Sequence, residues 1–144
     1  MKVSARTALL LMLCGMISSA SARELTLAEL KAKAESARPA DQPKLFIEIA
    51  RRQLDAMDKE YKEGQSEKAQ ASLKEVVSYS ERAGKASTES GKHLKSTEIE
   101  VRKMTQRLKD MKPAVSFEDR PPIQDAIDQL ERVSDLLFKR MFGS

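Results

Sequence analysis

Residues 66–111 keep one spacing of small or apolar side chains, alternating three and four, from Ala69 and Leu73 through Leu94, Val101 and Met104 to Leu108. A repeat of that period lays every such residue on one stripe of an α-helix. A chain holding such a stretch folds as packed helices, not as a sheet. The two ends of the stripe are apolar. Its middle, from Ser80 to Ser90, is small or polar, with Gly84 and Gly91 beside it.

Two all-α architectures fit. In the first, the stretch is one long helix, with antiparallel helical hairpins formed by shorter helices along it. Its narrow waist would let a neighbouring backbone come close, and a second copy would complete the cross-section. In the second, the helix breaks near Gly84–Gly91 and the chain closes as a four-helix bundle. Gly costs about 1 kcal/mol against Ala in a helix interior, and Ser and Thr compete for the backbone there. The unbroken register favours the continuous helix, because a loop has no reason to keep it.

The chain starts with a different pattern. Lys2 and Arg6 precede the apolar run 8–17, and Ala20-Ser21-Ala22 is a small-x-small cleavage pattern. This predicts a secretory signal over 1–22, a mature chain from Arg23, and a periplasmic or secreted location. The run is too short to span a bilayer, which needs about 20 residues, so no transmembrane segment is expected in the mature chain. The single Cys, Cys14, lies inside the signal, which leaves no disulfide and no thiol chemistry. Residues 23–40 read as a short N-terminal helix and connector, and 41–144 as the bundle domain.

Local signals set the helix ends. Thr26 and Glu29 make a capping-box spacing. Pro39 and Pro43 bracket a connector, and Asp41 is placed to cap the next helix. Leu45, Phe46, Ile49, Ala50, Leu54, Met57 and Tyr61 form that helix's apolar face. Gly64 is placed to stop it, and Ser66 to cap the next. The resulting hairpin resembles one tetratricopeptide unit at Gly64, Ala69, Leu73 and Val76. The resemblance covers about 35 residues, no second unit follows at the repeat period, and it implies a helical hairpin and no activity. Lys112-Pro113 ends the long stretch. Ser116 or Asp119 precedes Pro121-Pro122, where the last helix starts, with Ile123, Ile127, Leu130, Val133, Leu137 and Met141 on its apolar face.

The residues argue against an enzyme. His93 is the one histidine, and nothing pairs it with a nucleophile. Glu89 and His93 are four apart, on one face if a helix continues through them, but a zinc or di-iron site needs more ligands. Cys-x-x-Cys-His and Gly-rich phosphate loops are absent, and Met57, Met104, Met111 and Met141 read as core packing. No cofactor and no metal are expected. Removing Lys2 and Arg6 leaves 24 basic against 22 acidic residues, a net +2 that does not suggest nucleic acid. Residues 82–112 carry nine basic and four acidic side chains and 116–135 carry two and six, so +5 precedes −4 and the two segments are expected to face each other. A basic face for lipid is disfavoured there because no aromatics are interleaved with it.

The reading is therefore an exported, non-enzymatic helical protein that works through protein–protein interaction or scaffolding. Its partner is another protein or a second copy in a homodimer, and the candidate seam is Leu94, Val101, Met104 and Leu108. The alternative is a small carrier or chaperone-like bundle that holds a ligand or client in an apolar groove.

Overall fold

The long stretch is two helices. A computed structural model describes residues 24–143, and in it α3 (Ser66–Ser90) is followed by α4 (Leu94–Met111). Between them Gly91 and His93 both take left-handed backbone, at φ 69° and 58°. Gly91 reaches that region without a Cβ penalty and closes α3 by donating its N–H to the Ser87 carbonyl. The expectation of one continuous helix is thus corrected. The register survives the break because both helices turn their stripes to one core. Gly84 lies inside α3 and breaks nothing.

The other elements are α1 (Leu27–Ser36), α2 (Gln42–Lys62) and α5 (Arg120–Phe142), the last preceded by two short 3-10 turns. No strand occurs among the described residues. The expected signal over 1–22 lies outside the described residues.

Local chemistry explains most ends. Thr26 Oγ1 accepts the Glu29 N–H at 3.2 Å, the first half of a capping box. Gly64 turns the chain after α2 at φ 73°. Asp41 precedes α2 but pairs with Arg38 at 2.9 Å instead of capping it. Ser66 and Asp119 do not cap helices either; they meet each other, as described below.

Helix α2 packs on α3, and α4 packs on α5, as two antiparallel hairpins. These join mainly through α3 and α5. Contacts run in step along that pair: Ser66 meets Asp119, Gly84 meets Val133, and Thr88 meets Arg140. Helices α3 and α5 are therefore parallel neighbours. The core is almost wholly aliphatic, with Ile49, Leu54, Met57, Val76, Ile127 and Leu130 at its centre. Burying such side chains contributes about 1.5–3 kcal/mol each.

Helix α1 shares this core through Leu30 and Ala34. It lies across the α2–α3 hairpin, where Lys31 pairs with Glu75 at 3.3 Å. Arg82 stacks 4.3 Å from the Phe46 ring centroid and also reaches Glu35. Of the opposed charge segments, Lys109–Glu131 is the ion pair that joins them. Arg82 and Arg107 pair with α1 and α2 instead, and Arg102 with Glu98 of its own helix.

Candidate binding groove

The parallel packing of α3 and α5 begins with size. At the waist of α3 the side chains are Ser80, Ala83, Gly84 and Ser87, all buried. A Cβ on Gly84 would sit 2.7 Å from Val133 Cγ1. Val133 is β-branched and stiff at χ1, so Gly at 84 is what lets α5 lie this close. The small waist, read from sequence as room for a neighbouring backbone, is filled by a helix of the same chain.

One end of the seam is clamped by Asp119. This residue is buried and its carboxylate accepts from Ser116 Oγ at 2.7 Å, Ser66 Oγ at 2.9 Å and Gln70 Nε2 at 3.5 Å. The Ser116 hydroxyl, aided by Ser66 and Gln70, holds the carboxyl below the usual Asp value, against the opposing effect of burial. Tyr61 lies close by, and burial, reinforced by the negative charge of Asp119, pushes its phenol up to about 12.

Between the clamp and the far end, the outer side of the seam is open. One cavity of about 370 Å³ lies over Leu73, Val77, Pro122 and Ala126. A second, of about 550 Å³, lies over Gly84, Val133 and Leu136. Glu81 and Gln129 line both, so the two form one groove. From Gln70 to Thr88 it follows α3 for roughly 27 Å at about 1.5 Å per residue. The floor is apolar. Around the second cavity stand Lys85, Arg132 and Arg140, with Glu81 as the acid. Arg132 has no carboxylate partner among the described residues, and Arg140 donates to the Thr88 carbonyl at 3.3 Å.

No protein family, no curated protein and no solved structure matches this chain.

The four seam residues expected from sequence lie elsewhere. Val101, Met104 and Leu108 are buried in the core between α4 and its neighbours, at 0%, 3% and 0% exposure. Leu94 is half-buried against the same core. They are taken up by packing within one chain, because the break at Gly91 folds α4 back onto the bundle. Glu89 and His93 do not share a helix face, since α3 ends between them. No group of three His, Cys, Asp or Glu side chains placed to hold a metal occurs among the described residues. No described helix is long and apolar enough to cross a membrane. Met57 and Met104 are core residues.

The groove itself was not legible beforehand. It is built from two helices about 50 residues apart in sequence, and neither shows a stripe beyond its own core face. Leu136 was the available signal: it stands off the apolar stripe of α5 and is 61% exposed.

Proposed function

We propose that this chain is an exported, non-enzymatic helical protein that binds a segment of another protein in the α3–α5 groove. The observation that carries the reading is the groove: an open, apolar-floored channel between two parallel helices, long enough for several turns of a third. A helix laid in such a channel buries one apolar stripe. Lys85, Arg132 and Arg140 on the rim select a segment whose polar edge is acidic, through charge complementarity. A carrier of small ligands is less well supported, because the channel is open along its length, whereas small-molecule sites enclose most of the ligand.

A photo-crosslinking side chain at Ser78, in the groove, and another at Lys59, on the exposed side of α2, test this. The Ser78 probe should form one discrete adduct, and the Lys59 probe none. The crosslinked peptide should be amphipathic with an acidic edge. Gln129→Trp, which plugs the point where the two cavities join, should abolish the adduct. Equal labelling from both positions would overturn the reading. So would a lipid found in the groove by native mass spectrometry and displaced by Gln129→Trp.

A further inference from the structure

One end of the bundle gathers what the sequence keeps apart. The C-terminal turns of α5 meet the α3–α4 turn there, with Arg140 Nη2 3.4 Å from the position a Cβ on Gly91 would take. The start of α2 belongs to the same end: Gln42 lines a cavity with Lys85 and Ser90, and Lys44 lines another with Ser96.

Five cations stand exposed on this end: Lys44, Lys92, Lys95, Lys139 and Arg140. None has a carboxylate within ion-pair distance among the described residues. Elsewhere most cations are paired, as Lys31, Arg52, Lys62, Arg82, Arg102, Arg107 and Lys109 show. Most carboxylates at the cationic end are already engaged: Asp41 with Arg38, Glu48 with Arg52, and Glu89 with Lys85. Asp135 stays unpaired.

The last turns of α5, at the same end, carry two exposed aromatic rings. Phe138 is 57% and Phe142 71% exposed, with ring centroids 4.9 Å apart. The two rings form an exposed apolar pair at the end of α5, and exposed apolar surface of this kind marks a contact site. Two exposed phenyl rings on an end that also carries unpaired lysines and an arginine match one surface in particular. The rings enter the headgroup–acyl boundary of a bilayer while the cations meet anionic headgroups. A second copy is disfavoured as occupant, because a two-fold contact would bring like charges together.

We infer that this end of the bundle docks on anionic lipid bilayers, with Phe138 and Phe142 inserted and Lys92, Lys95, Lys139 and Arg140 on the headgroups. The docking end shares Arg140 with the rim of the groove, while the channel from Gln70 to Gln129 lies away from it and stays free for a protein partner.

Vesicle co-sedimentation decides it. Core residues of the described chain run from Leu30 to Leu137, so the chain from Arg23 onward carries the whole bundle and lacks the apolar run 8–17. It should pellet with phosphatidylcholine vesicles containing phosphatidylglycerol, and not with phosphatidylcholine alone. High salt should release it. Phe138→Ser with Phe142→Ser, and separately Lys92→Glu with Lys139→Glu, should each lower partitioning about tenfold or more. All four residues are exposed, and circular dichroism of each variant should match the parent. Gln129→Trp should bind vesicles like the parent. The inference fails if neutral and anionic vesicles bind alike, if neither binds, or if the variants bind undiminished. It also fails if the phenylalanines instead mediate a concentration-dependent doubling of mass that the Ser variants remove.

Discussion

The two ends of the α3–α5 seam are finished in opposite ways. At the Asp119 end, one buried carboxylate takes two serine hydroxyls and a glutamine amide from two pieces of chain, α3 and the turn before α5. At the Gly91 end, Lys92, Lys95 and Lys139 stand exposed with no carboxylate partner among the described residues, and Phe138 and Phe142 face water. Between them, Gly84 sets the helices at close contact. One end thus ties a charge into the chain, whereas the other keeps charges and rings at its surface.

The contrast can be broken at its centre first. Gly84→Val should destabilise the protein by about 3 kcal/mol, because the new side chain drives α3 from α5 where the fit is closest. Thermal melting should show it, and Val133→Ala in the same chain should recover part of the loss. The polar end comes next. Asp119→Ala leaves Ser66 and Ser116 without their acceptor and should cost about 2 kcal/mol in urea unfolding.

Acid sharpens the same point. The folded-state pKa of Asp119 is lowered from 3.8, so its contribution is fully present above that value and is lost as pH falls through the folded value. Parent and Asp119→Ala should therefore converge in stability in strong acid and differ most at neutral pH. The Tyr61 phenol is raised instead, to about 12. Its contribution is present below 10 and is lost as pH rises through 12.

At the opposite end, Gly91→Ala forces a Cβ into left-handed backbone and should cost about 1 kcal/mol. The smallest effect should come from the aromatic cluster. Phe138→Ser and Phe142→Ser should shift unfolding by no more than about 0.5 kcal/mol each, as exposed positions do. A loss of several kcal/mol on removing either ring would make the cluster part of the fold and erase the contrast.

Much of the helical pattern was legible in the chain. Thr26, Gly64 and Lys112-Pro113 act locally, so their marks on sequence are local too. The break was harder to place. Gly91 and His93 turn the chain in three residues, and Ser87 meets Thr97 across the turn at 2.9 Å. Because both helices face one core, the spacing of core residues carries on through the turn and reads as one helix. The partners of Asp119 were hidden for a different reason. An Asp before Pro-Pro looks like a helix cap, yet its partners Ser66 and Gln70 are 53 and 49 residues away. The basic, aromatic end was half visible: Phe138, Lys139, Arg140 and Phe142 are neighbours in sequence, whereas Lys92 and Lys95 carry no aromatic near them and join that end only through the fold.

The parallel pairing of α3 with α5 also bears on how the chain assembles. Each hairpin closes a short loop, so its contacts form between near neighbours in sequence and little entropy opposes them. The seam joins residues some 50 positions apart and gains nothing until both hairpins exist. Formation of the two hairpins is expected to come first, with their docking as the slow step. On that order the channel walls meet last, and in the folded protein they are the contacts that open at the least cost. Amides of α5 along the channel should then exchange with solvent sooner than those of α2 beneath α1.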